Sequence, residues 1–114
     1  MSVDRRQLGR RGEDLAAAWY VRRGYLVLAR NWRCGDGELD LVCRKGAKVV
    51  VCEVKARRSD AFGCPQDAVT ASKRRRIRRL AARWLQVTGT RCEEVRFDVA
   101  AIRGEAVEVM EGAW

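Results

Sequence analysis

Residues 38–55 read ELDLVCRKGAKVVVCEVK, and the alternation within this stretch decides the fold. Two apolar runs, Glu38–Arg44 and Val49–Lys55, flank the turn-prone segment Lys45–Lys48, the pattern of two strands joined by a hairpin. In the second run Glu53 and Lys55 stand two apart and project from one face. Val50, Cys52 and Val54 take the opposite face and suit a core. Asp40 lies between Leu39 and Leu41 in the first run, where a charge is costly unless paired, ligated or exposed. If Arg44 pairs with Val49, Asp40 falls opposite Glu53, with Cβ atoms about 4.5–5.5 Å apart. A slip of one residue moves Asp40 to the other face.

Adjacent carboxylates repel unless they share a proton or a cation. A hard divalent ion meets that need, and Mg²⁺ commonly takes one or two carboxylates together with water and phosphate. Lys55 beside them suits a scissile phosphate or an attacking water. The same residues also suit a solvent-facing strand in which Lys55 pairs with Glu53. Spacing alone leaves both readings open.

Upstream, residues 8–23 read as an Ala-rich helix ended by Gly24. Leu8, Leu15 and Trp19 form one apolar side, and Ala16, Ala17 and Tyr20 another. Tyr25–Ala29 reads as a strand, and NWRCGDG (residues 31–37) as a turn-rich connector. Downstream, the polar loop ARRSDAFG (residues 56–63) leads to Pro65, with Gly63 and Pro65 shaping the entry to a second helix. Thr70 or Ser72 caps that helix, which runs to about Thr88 and stops at Gly89. Its apolar positions Ile77, Leu80, Ala81, Trp84 and Leu85 form one stripe. Val95–Ile102 and Ala106–Met110 alternate as two closing strands. The order α-β-β-β-α-β-β predicts an α/β fold, one mixed sheet flanked by helices, in a single domain over residues 1–114.

The chain has 114 residues, of which 47% are apolar, enough to build a core. It carries 24 basic and 15 acidic residues, a net charge of +9. A balance this basic points to a polyanionic partner, nucleic acid first. The positive charge concentrates in Lys73, Arg74, Arg75, Arg76, Arg78, Arg79 and Arg83, with no acid between Asp67 and Glu93. A solvated helix face usually mixes signs, so this run argues for phosphate contact. Lys73 precedes Ile77 by one turn and can reach back toward the sheet while the arginines point outward. Arg57 and Arg58, just after Lys55, are placed to grip flanking phosphates. With no histidine, the Ser-His-Asp and Cys-His schemes are excluded. Five cysteines without a CxxC pair read as reduced thiols. No apolar run of membrane-spanning length and no signal-peptide pattern is present, so a cytoplasmic location is expected.

Four stretches in order carry a family resemblance: residues 9–25 (GRRGEDLAAAWYVRRGY), 31–42 (NWRCGDGELDLV), 51–85 (VCEVKARRSDAFGCPQDAVTASKRRRIRRLAARWL) and 96–102 (RFDVAAI). Over roughly residues 9–103 the chain resembles the YraN-like family of small bacterial endonuclease-like proteins. That family is similar to the restriction-endonuclease-like PD-(D/E)xK superfamily, near the archaeal Holliday-junction resolvases. The resemblance implies a restriction-endonuclease-like fold and a Mg²⁺ or Mn²⁺ site. Its GELD motif implies Asp40 as a metal ligand. Its EVK motif implies Glu53 as a second ligand, Lys55 as the catalytic lysine and the main-chain carbonyl of Val54 as a further ligand. Glu13 takes the place of a metal-proximal glutamate, although an acid near a helix start is also favoured by the dipole. Leu39 stands where the superfamily name has proline, and Cys52 where an aliphatic or aromatic residue is usual. Glu38 reads as a rim residue, and Trp32, Trp84 and Trp114 as core or rim.

The leading expectation is a metal-dependent nuclease acting on DNA, with branched or flapped substrates fitting a protein that reads backbone shape. The alternative is a non-catalytic nucleic-acid-binding module with a vestigial site. A third is a small domain that binds an acidic protein. A nuclease making paired cuts would be a two-fold homodimer.

Overall fold

The hairpin at residues 38–55 forms in the register that places Arg44 against Val49. The computed structural model describes residues 5–35, 37–57 and 69–114. Its elements are α1 (Arg5–Arg22), β1 (Leu26–Cys34), β2 (Gly37–Lys45), β3 (Lys48–Arg57), α2 (Ala71–Thr88), β4 (Glu94–Arg103) and β5 (Ala106–Met110). They form one five-stranded sheet in the order β1-β2-β3-β4-β5. The strand pairs are antiparallel except β3 and β4, which run parallel and so need the crossover that α2 supplies. This is the expected mixed α/β architecture and element order.

In the hairpin Leu41 pairs with Cys52, Val42 with Val51 and Arg44 with Val49. Lys45 and Lys48 also pair, so the loop is Gly46 and Ala47 rather than the four residues expected. Strict alternation then sends Val49 and Val51 to one helix and Val50 and Cys52 to the other. The first face packs on Ile77, Leu80, Ala81 and Trp84 of α2; the second packs on Ala16, Ala17 and Tyr20 of α1. α2 follows its sequence closely. Thr70 caps it by accepting from the Lys73 N–H, and Gly89 ends it in the left-handed conformation. α1 lies close on β3 because residue 12 is glycine: a Cβ there would sit 3.3 Å from that of Ala56.

The first strand departs from expectation. β1 runs on through Asn31 and Trp32 to Cys34, where a connector was expected. Asn31 adopts φ 52, a left-handed conformation that asparagine tolerates better than most residues, so the chain twists without leaving the ladder. The twist reverses the two faces. Arg30 pairs with Leu41 and Trp32 with Leu39, which puts Asn31 opposite Asp40. Arg30 bonds to Asp14 of α1, whereas Trp32 packs into the α2 layer. Leu41 likewise belongs to the α1 layer and Leu39 to the α2 layer. Residues two apart therefore face opposite helices at this point on both strands.

The core contains one closed polar network. Asp98 on β4 is fully buried, and each of its oxygens accepts two bonds. Oδ1 takes the Arg96 Nε and the Gly112 N–H, and Oδ2 takes the Tyr20 hydroxyl and the Arg96 Nη2, all at 2.6–2.9 Å. Cys34, Cys43, Cys52 and Cys92 are free thiols. Burial pushes the Cys43 thiol up to about 12 and holds Cys52 well above its usual range. Cys64, Gly63 and Pro65 lie outside the described residues. Among the described residues no helix is long and apolar enough to cross a membrane.

Candidate functional site

The β2–β3 ladder stops at Leu41 and Cys52, and the strands splay at Asp40. Asp40 Oδ2 accepts the Val54 N–H at 2.9 Å, so the side chain takes over where the main-chain pairing ends. Through this opening, groups from both faces of the sheet meet. From the α1 side come Glu13 and Glu38, whose carboxylate oxygens lie with one of Asp40 within 4.8 Å of one another. From the α2 side come Glu53, Lys55 and Lys73. Asp40, Glu53 and both lysines line a cleft of about 580 Å³, with Glu38 and Arg76 at its walls.

Each carboxylate is held differently. Glu13 accepts from the Asn31 amide at 2.7 Å. Glu38 pairs with Arg33 at 2.9 Å. Glu53 is 2% exposed, and its Oε1 lies 3.4 Å from the Lys73 ammonium. Its Oε2 is buried with no hydrogen-bond partner among the described residues. A buried polar atom without a partner costs about 1–3 kcal/mol, more when charged.

The electrostatics follow from this crowding. Burial and then the Asp40 charge push the Glu53 carboxyl up to about 7, against the pull of Lys73 and Lys55. Burial also raises Asp40, opposed by the Val54 N–H and reinforced by Glu38. Glu13 is raised by burial, with the Asn31 bond working the other way. Burial and then the neighbouring Lys73 lower Lys55. Burial works against charge on Lys73 too, but Lys55 and Glu53 outweigh it and hold Lys73 above the usual lysine range. Lys55 is thus the member of the pair that gives up its proton first.

Of the residues singled out in the sequence, Asp40, Glu53, Val54 and Lys55 line the cleft, and Glu13 reaches Asp40 from the α1 side without lining it. The carboxylates of Glu13, Glu38 and Asp40 form an all-oxygen, mutually repelling set suited to a hard divalent cation, and the neighbouring Glu53 keeps one buried oxygen without a partner among the described residues. Glu38, read from the sequence as a rim residue, belongs to the cluster. Its signal was the two-residue spacing from Asp40, the same logic that put Glu53 beside Lys55.

The basic helix divides by face. Lys73 and Arg76 line the cleft one turn before Ile77 and Leu80. Arg75, Arg79 and Arg83 are exposed. Arg74 and Arg78 do not simply point outward as expected: Arg74 bonds the Val69 carbonyl and lies over Trp114, and Arg78 lies over Phe97. Arg58 and the side chain of Arg57 lie outside the described residues. Trp84 is buried, and Trp32 and Trp114 pack partly buried against the same core.

Comparison with known proteins bears out the family resemblance. The family described as Uncharacterised protein family UPF0102 matches residues 12–102. A UPF0102 protein of Beutenbergia cavernae is 53% identical over 95 residues, covering 83% of this chain and 80% of the relative. One from Acidothermus cellulolyticus is 46% identical over 125 aligned positions, covering 96% and 95%. One from Moorella thermoacetica is 43% identical over 120 aligned positions, covering the whole of both chains.

Proposed function

This chain belongs to the UPF0102 family, and from the chemistry of its cleft we propose that it is a divalent-metal-dependent nuclease that hydrolyses phosphodiester bonds in DNA. The observation that carries the reading is Glu53: a buried carboxylate, one oxygen of which has no partner among the described residues, beside Asp40 and flanked by two lysines. A carboxylate kept only for structure would be fully hydrogen-bonded.

In this reading Asp40 and Glu53 hold Mg²⁺ or Mn²⁺, with Glu13 and the Val54 carbonyl as the further ligands that the family resemblance implies. Such an ion supplies a bound water of lowered pKa and offsets charge on the phosphate. The chain's own groups do the rest. Asp40, fixed through the Val54 N–H, sets the position of the oxygen donors. Lys55, half-buried at the cleft wall, stabilises the charge that develops on the phosphate. Lys73 and Arg76 hold the scissile strand at the cleft mouth, and the exposed arginines of α2 grip flanking phosphates without reading sequence. In this reading the cytoplasm is the site of this work, in keeping with the expectation from the sequence.

The test is cleavage of labelled duplex, single-stranded, flap and four-way-junction DNA with Mn²⁺, Mg²⁺ or EDTA, by the native chain and Asp40→Asn. Metal-dependent cutting that disappears in the variant supports the proposal and names the substrate. Tight, salt-sensitive binding without cutting by either protein overturns it. That outcome supports a non-catalytic nucleic-acid-binding module, the reading favoured by the basic face of α2 alone.

A further inference from the structure

We infer that Asn31 is a positioning residue for the metal site, holding Glu13 toward Asp40 by a side-chain bond launched from a left-handed backbone in the middle of β1. The inference rests on the metal reading above and goes beyond its ligand set. Three observations converge on this one residue. Asn31 is the sole non-glycine residue with positive φ among the described residues, and it occurs inside a strand rather than at a turn. Its register position lies opposite Asp40, at the point where β1 and β2 exchange faces. Its Nδ2 donates to Glu13 Oε2 at 2.7 Å.

The alternative is that Asn31 serves only to turn the strand over. Glycine would perform that task with less strain, because it has no Cβ to oppose positive φ. What asparagine adds is a short amide whose donor reaches a carboxylate on the helix above. Glu13 has room to turn elsewhere: Arg30 Nη2 is 4.0 Å from Glu13 Oε2 and is already bonded to Asp14. Without the amide, Glu13 can swing toward Arg30 and away from Asp40 and Glu38. Partners of this kind behind a metal ligand are typically worth about 10–100-fold in metal affinity.

The test is calorimetric titration with MnCl₂ of the native chain, Asn31→Gly, Glu13→Gln and the double variant, with metal-free melting of each. The expected result is Mn²⁺ affinity about tenfold weaker in Asn31→Gly, at the low end of that range, with an unchanged or raised melting temperature. In the Glu13→Gln background Asn31→Gly should cause no further loss, because the two act as one unit. Native-like Mn²⁺ affinity in Asn31→Gly overturns the inference, and so does a loss that adds fully to that of Glu13→Gln. Absence of Mn²⁺ binding by the native chain overturns the metal reading itself, and the inference with it.

Discussion

Two carboxylates are buried on adjacent strands of this sheet, and they are treated in opposite ways. Asp98 on β4 faces four donors, two on each oxygen, and is closed off from solvent. Glu53 on β3 is almost as buried, yet one oxygen has a lysine at 3.4 Å and the other has no hydrogen-bond partner among the described residues. Cys52, next to Glu53, is the register partner of Asp98, so both groups sit in the same part of the sheet. Burial therefore does not separate them; satisfaction does. A fully bonded buried carboxylate anchors structure, here tying α1, β4 and the Gly112 turn together. An incompletely bonded one stores free energy that a ligand can release.

The largest effect expected is on chemistry. Asp40→Asn keeps an oxygen for the Val54 N–H but lowers DNA cleavage by about a thousandfold, a loss of several kcal/mol at about 1.4 kcal/mol per factor of ten. Next comes the anchor. Asp98→Ala leaves the Tyr20 hydroxyl without its acceptor and the half-buried Arg96 guanidinium with only its 3.3 Å contacts to Tyr25 and Glu111, and urea unfolding should show about 3 kcal/mol of lost stability. A cost below about 1 kcal/mol would erase the contrast between the two sites. Close behind, Mn²⁺ at about 100 times its dissociation constant should stabilise the native chain by about 2.7 kcal/mol. That gain should grow as pH rises through about 7, where the Glu53 proton no longer competes.

The smallest effect is the most diagnostic. Folding raises the Glu53 carboxyl from 4.5 to about 7, so the folded state holds that proton more tightly than the unfolded chain. The associated stability is present below pH 4.5 and declines as pH rises through about 7. Glu53→Gln should flatten this decline in metal-free melting curves and make the chain about 1 kcal/mol more stable at pH 8. Destabilisation of the size seen for Asp98→Ala would show that Glu53 is a structural anchor too.

Much of this was legible in the sequence because it depends on local rules. Period-two alternation through VVVCEVK assigned Glu53 and Lys55 to one face, and the hairpin took the first of the two registers that the sequence left open. The Thr70 cap, the Ile77–Leu80–Trp84 stripe and Gly89 set α2. What was not legible depends on contacts distant in the chain or on a single dihedral angle. Asn31 and Gly35 signal local backbone conformations, and such a signal was read as the end of a strand when it marked a twist within one. Glu38 stands two residues before Asp40 yet was read as a rim residue, because the third member of the cluster, Glu13, comes from α1, far away in the sequence. The Asp98 network spans Tyr20 to Gly112, so no window of sequence contains it. The aromatic rings that take up Arg74 and Arg78 lie on β4 and near the C-terminus, beyond the reach of helix periodicity.

The left-handed residue in β1 has a second consequence, for solubility. β1 and β5 are the open edges of the sheet. β5 has only five residues, but β1 has nine and exposes Leu26 and Leu28 by 68% and 40%. A long, flat edge of that kind is a template for another molecule's strand. Here the register shifts between Val27 and Ala29 and the chain twists again at Asn31, so no straight run of free N–H and C=O groups is available to a newcomer. The same irregularity that carries Asn31 toward Glu13 thus also makes β1 a poor template for another molecule's strand.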